Sequence, residues 1–132
     1  MNTRILVVDD EPDMVVIMKL TLETKGYQVI TAYDGEEGLQ KACDEAPDLI
    51  ILDILMPKVF GSDMAAALQN NPATAKIPLI YLTNFPIPYL TGKEGAYNTT
   101  QKDPLGNIFL SKSCSDEELL SAIQELLRTR KA

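Results

Sequence analysis

Five short strand-like runs alternate with stretches carrying helical signals, and that order leaves few folds open. The runs are Thr3–Val8, Tyr27–Ile30, Leu49–Asp53, Pro78–Thr83 and Ile108–Ser111. Ile5-Leu6-Val7-Val8 and Leu49-Ile50-Ile51-Leu52 are solidly apolar, which is the pattern of strands covered on both faces. Between the runs, Pro12 suits the first turn of a helix that follows an acidic stretch. Met14, Val15, Met18 and Leu22 then fall at helical spacing, and Lys25-Gly26 supplies a stop. Asp34-Gly35-Glu36-Glu37 predicts a capping box for a second helix through about Glu45. Ser62 predicts the cap of a third helix ending at Asn70-Asn71-Pro72. Ser115-Asp116-Glu117-Glu118 predicts a last helix, with Leu119, Leu120, Ile123, Leu126 and Leu127 on one stripe. The alternation implies an α/β fold: a mostly parallel sheet, helices on both faces, and the first strand inside the sheet because crossovers are right-handed.

A chain of 132 residues is the length of one domain, and the reading is a single domain over 1–132 with no effector domain. Acids outnumber bases 19 to 12, for a net charge of −7. That balance argues against a duplex-DNA footprint or a polybasic membrane anchor, both of which need clustered Lys and Arg. The chain contains no His, so a histidine base or a phosphohistidine of its own is excluded. No apolar run is long enough to span a bilayer, and no signal-peptide pattern opens the chain. Two cysteines, Cys43 and Cys114, are too few for a disulfide framework and read as small buried or half-buried fillers in a cytoplasmic protein.

In open α/β sheets, ligands bind beyond the carboxyl ends of the strands. The first strand delivers Asp9, Asp10 and Glu11 to that rim, the third Asp53, the fourth Thr83 and the fifth Lys112. Two carboxylates about 4 Å apart repel by roughly 4 kcal/mol at an effective dielectric near 20, so such a cluster calls for a shared cation. Oxygen-only ligands select a hard ion, and Mg²⁺ fits best. Mg²⁺ suggests phosphate chemistry, with Asp53 as a carboxylate nucleophile and Lys112 and Thr83 on phosphoryl oxygens.

These residues resemble the receiver (CheY-like) domain of two-component response regulators. The matching pieces are Val7-Val8-Asp9-Asp10-Glu11, Asp53-Ile54-Leu55-Met56-Pro57 with Gly61 beyond, Leu82-Thr83, and Phe109 followed three positions later by Lys112. The resemblance covers essentially the whole chain. It implies a flavodoxin-like (βα)5 fold, a five-stranded parallel sheet in order 2-1-3-4-5 with five flanking helices. It implies that Asp53 is the phosphoacceptor and that Asp9, Asp10, Asp53 and the Leu55 backbone carbonyl hold Mg²⁺. Thr83 would be the switch hydroxyl, Lys112 the phosphate-binding lysine and Phe109 the switch aromatic. The phosphoryl donor would be a partner histidine kinase or histidine phosphotransfer protein. The output would be a surface around 84–112 presented to a downstream protein, with a phosphorylation-linked dimer compatible and no direct nucleic-acid contact. The chain would be a stand-alone regulator rather than an enzyme, at most phosphorylating and dephosphorylating its own aspartate.

Three features depart from that pattern. Ser113 stands where the family has a cis-proline; a cis bond to a non-proline costs about 2.5–4 kcal/mol, so a trans Lys112–Ser113 bond and a re-routed loop are expected. Asn84 and Phe85 are bulkier than usual and would narrow access to Asp53. The segment 84–107, with Pro86, Pro88 and Pro104, is longer than usual and implies a remodelled output face. Glu11 reads mainly as a cap or an outer neighbour of the cluster. Three rival readings remain. A degenerate receiver would bind partners without phosphorylation. A haloacid-dehalogenase-like phosphatase would need a second acid where Leu55 stands, and a flavin carrier would not tolerate Asp9-Asp10-Glu11 beside its phosphate.

Overall fold

The computed structural model describes residues 3–53, 61–83, 101–102 and 106–129. The strands are β1 (Arg4–Val8), β2 (Gln28–Ala32), β3 (Leu49–Asp53), β4 (Leu79–Thr83), β5 (Gln101–Lys102) and β6 (Ile108–Ser111). The helices among the described residues are α1 (Pro12–Thr24), α2 (Gly35–Glu45), α3 (Gly61–Asn70) and α4 (Asp116–Thr129). Five strands pair in parallel in the order β2-β1-β3-β4-β6, the expected arrangement with β1 inside. The two-residue β5 adds antiparallel to the outer edge of β6, pairing Gln101 with Phe109 and Lys102 with Ile108. Nothing in its composition forecasts a strand; it is defined by the unpaired backbone groups that the edge of β6 offers.

The two-residue period of the central strands sends alternate side chains to two cores. Ile5, Val7, Leu49, Ile51, Ile80, Leu82, Ile108 and Leu110 pack with Met18 and Leu22 of α1 and Leu119, Ile123 and Leu126 of α4. Leu6, Val8, Ile50, Leu52, Leu79 and Tyr81 pack on the other face with Ala42 of α2 and with Met64 and Leu68 of α3. This two-sided burial is why β1 and β3 read as continuous apolar runs. Gly38 of α2 marks the closest approach: a Cβ there would lie 2.8 Å from Met64 Cε and 2.9 Å from Val8 Cγ2.

Local chemistry explains the helix ends. Asp34 accepts from the Glu37 N–H (2.8 Å), and Glu37 Oε1 accepts from the Tyr33 N–H (2.8 Å). Ser115 Oγ accepts from the Glu118 N–H, and Glu118 Oε1 accepts from the Ser115 N–H, both at 3.1 Å. The second is a reciprocal capping box; in the first, Glu37 reaches one residue further back, to Tyr33, and both satisfy donors the helix cannot. Gly26, at φ +91°, closes α1 in a conformation that side chains resist. Helix α3 begins at Gly61, one residue before the Ser62 expected to cap it. The thiols are free: Cys114 is half-buried, whereas Cys43 is exposed on α2 rather than filling the core. Among the described residues, no helix is long and apolar enough to cross a membrane.

Candidate functional site

Strand register carries the acids to one place. Val8 of β1 pairs with Leu52 of β3, so Asp9 and Asp53 emerge side by side at the carboxyl rim. The Asp9 N–H still donates to the Ala32 carbonyl (3.1 Å), which extends the β1–β2 ladder one residue past the strand. Asp9 and Asp53 are buried, only 1% and 4% exposed. One carboxylate oxygen from each of Asp9, Asp10, Glu11 and Asp53 lies within 4.8 Å of the others. The Glu11 N–H donates to Asp9 Oδ1 (3.0 Å), which pins the Asp9 side chain.

Lys112 enters the same cluster from the end of β6. Its Nζ lies 2.9 Å from Asp53 Oδ2, 2.9 Å from Glu11 Oε1 and 3.2 Å from Asp9 Oδ2. Its side chain is 7% exposed. The Lys112–Ser113 peptide is trans, as expected from the missing proline. The turn is held instead by serines: Ser111 Oγ and Ser113 Oγ lie 2.8 Å apart, and the Ser113 N–H donates to Ser111 Oγ. This alternative turn leaves the ammonium in contact with Asp53, so the lysine is not displaced from the cluster.

The electrostatics are unbalanced. Among the described residues, four clustered carboxylates gather about one ammonium, which touches three of them. Burial pushes the Asp9 carboxyl above its ordinary range, and the neighbouring Asp53 charge adds to that, against the opposing hydrogen bond from Glu11 and the charge of Lys112. Burial alone would lower the Lys112 value, but its hydrogen bonds to Asp53 and Glu11 and the charges of Asp9 and Asp53 win and raise it. The buried Asp9 Oδ2 accepts no hydrogen bond, although the lysine stands close to it. A buried carboxylate oxygen with an ion pair but no hydrogen bond, in a net-negative cluster of oxygen ligands, fits a hard divalent cation.

The other expected site residues divide. Thr83 closes β4 beside Ser111 of β6, one residue past Leu82, the register partner of Asp53. Leu55 and the stretch 84–100, with Asn84 and Phe85, lie outside the described residues. Phe109 is half-buried, and its ring stacks on Tyr81 with centroids 4.6 Å apart and planes at 22°. Sequence reasoning passed over that stack, although Tyr81 and Phe109 each sit two residues before the end of adjacent strands. For Glu11 it offered a cap or an outer neighbour of the cluster, and the structure takes the second. Glu11 does occupy the cap position of α1, but its side chain makes no capping bond and pairs with Lys112 instead.

A five-stranded parallel sheet in this order, with buried acids and a lysine converging on its carboxyl rim, has the architecture of a signalling receiver domain. The chain matches the response regulator receiver domain over residues 5–124, and it belongs to that family. It is 38% identical over 129 residues to the alkaline phosphatase synthesis transcriptional regulatory protein PhoP of Bacillus subtilis, covering 97% of this chain and 50% of that protein. It is 34% identical over 125 residues to the DNA-binding dual master transcriptional regulator RpaA of Synechocystis, covering 95% of this chain and 49% of that protein. The chain thus spans about half the length of these curated relatives. Among solved structures, it superposes on the Vibrio cholerae chemotaxis protein CheY4 with a TM-score of 0.80 at 29% identity, covering 96% of this chain and 99% of that one. A signal receiver domain of a Syntrophus aciditrophicus signal transduction histidine kinase gives 0.79 at 32% identity, covering 96% of this chain and 91% of that one. Two-component signalling through a receiver domain is therefore the family-level function.

Proposed function

We propose that this receiver accepts a phosphoryl group on Asp53 from a phosphohistidine of a partner kinase or phosphotransfer protein in the cytoplasm. A carboxylate oxygen of Asp53 attacks phosphorus, the P–O bond forms, and the P–N bond breaks with the electron pair returning to the imidazole. Asp9, Asp10 and Asp53, with the Leu55 carbonyl, would hold Mg²⁺, which neutralises charge on the transferring group when bound. Lys112 already touches Asp53 and would follow a phosphoryl oxygen once Asp53 carries one. Thr83, at the end of the neighbouring strand, would offer its hydroxyl to another oxygen. The switch would reach the surface around 84–112, with Phe109 leaving its stack on Tyr81, and a downstream protein would read that change.

The observation that carries this reading is the contact of Lys112 Nζ with Asp53 Oδ2 at 2.9 Å, in a cluster that also holds the buried Asp9 carboxylate. A buried carboxylate paired with an ammonium inside a net-negative cluster of carboxylates is costly unless the groups serve a charged ligand. The test is phosphotransfer from labelled histidine kinases, with Asp53→Asn as control. Label on the wild-type chain and none on the variant is expected. Label on the variant would overturn the acceptor assignment, and no transfer from any kinase would favour a receiver that binds partners without phosphorylation.

A further inference from the structure

The Lys112 ammonium has three N–H donors, and three carboxylates surround it: Asp53, Glu11 and Asp9. Two of the three are buried and belong to the cradle proposed for the cation. Glu11 differs from them. Its side chain is 61% exposed at the rim of the cluster. Its backbone is fixed on both sides: its N–H donates to Asp9 Oδ1 and its carbonyl accepts from the Val15 N–H (3.1 Å). It occupies the cap position of α1, where an acid normally bonds backbone donors, yet its side chain leaves them and reaches 2.9 Å to Lys112.

We infer that Glu11 is a positioning residue that berths the Lys112 ammonium, so that the lysine keeps an anionic partner while Asp9 and Asp53 turn to a divalent cation. The inference rests on the reading of the site given above. Without that berth, a lysine with a buried stem would face a dication with no anion left to it, an arrangement strongly disfavoured in a dry site. An exposed ion pair contributes little by itself. The contribution of Glu11 is therefore conditional: slight without metal and felt when metal binds.

That conditionality gives a signature that neither a plain structural role nor simple surface charge produces. Mg²⁺ affinity is measured by amide NMR titration for wild type, Glu11→Gln, Lys112→Met and the double variant. An ionic strength near 1 M shortens the screening length to about 3 Å and suppresses long-range charge effects. Glu11→Gln should leave the metal-free urea midpoint within error of wild type and weaken Mg²⁺ binding about threefold to fivefold. In the Lys112→Met background, the same substitution should change Mg²⁺ affinity less than about 1.5-fold, because nothing remains to be berthed. Equal weakening in both backgrounds would make Glu11 a direct ligand or a mere charge and overturn the inference while leaving the cation site standing. Absence of Mg²⁺ binding by the wild-type chain would overturn both.

Discussion

Replacing Lys112 with methionine removes one positive charge from the cluster while keeping most of the buried stem, and its two effects have opposite signs. Without metal, Asp9 and Asp53 lose their shared cation in a site where they are 1% and 4% exposed. Removing one partner of a buried ion pair costs about 3–5 kcal/mol. The lower end applies here, because Glu11 is solvated and Asp9 is already biased toward its neutral form. A loss of about 3 kcal/mol would lower the melting temperature of a domain this size by roughly 10 °C. With metal the sign reverses. An ammonium and a dication drawn to the same oxygens repel by more than about 1 kcal/mol even in the dielectric of water, so removing the ammonium should tighten Mg²⁺ binding about tenfold or more. The assay is urea unfolding of both proteins across a Mg²⁺ series: the stability gap should narrow as Mg²⁺ rises, with half-saturation at lower Mg²⁺ for Lys112→Met. A folded variant that binds Mg²⁺ no better than wild type would refute the idea that lysine and cation compete for the same oxygens.

Gly38→Ala sets up to about 1 kcal/mol of helix propensity against about 1–3 kcal/mol of overpacking. The new Cβ meets both γ-carbons of Val8, at 2.9 and 3.1 Å, and that β-branched side chain on an inner strand has no room to yield. Net destabilisation of about 1–2 kcal/mol is expected from urea midpoints, and a stabilised variant would show that the α2–β1 contact is softer than it looks. Asp9→Asn tests the sign of the Asp9 shift. A carboxyl raised above its ordinary value of 3.8 contributes stability that is full below that value and lost as pH rises through the elevated one. Metal-free Asp9→Asn should therefore gain on wild type as pH rises from acid toward neutrality, and a variant that instead loses ground over that interval would reverse the assignment.

Most of the sheet could be read from the chain because β1, β3 and β4 are buried on both faces, and continuous apolar runs leave little choice of element. The caps Asp34 with Glu37 and Ser115 with Glu118 could be read too, since their bonds span only three or four residues. The convergence of Asp9, Asp53 and Lys112 followed from topology: parallel strands deliver their last residues to one rim. What stayed hidden depends on side-chain choice among near-equal options. Glu11 could cap α1 or pair with Lys112 across more than a hundred residues of sequence, and only the folded geometry decides. The Tyr81–Phe109 stack requires the β4–β6 register, and β5 has almost no signal of its own. The serine-held turn after Lys112 likewise shows that the absent proline need not displace the lysine.

The most direct measurement is the intact mass of the protein after incubation with acetyl phosphate, with and without Mg²⁺, for wild type and Asp53→Asn. One added phosphoryl group is expected on wild type, dependent on Mg²⁺ and lost in Asp53→Asn. No mass gain with Mg²⁺ present, or a gain that survives the substitution, would contradict a cation-assisted acceptor at Asp53.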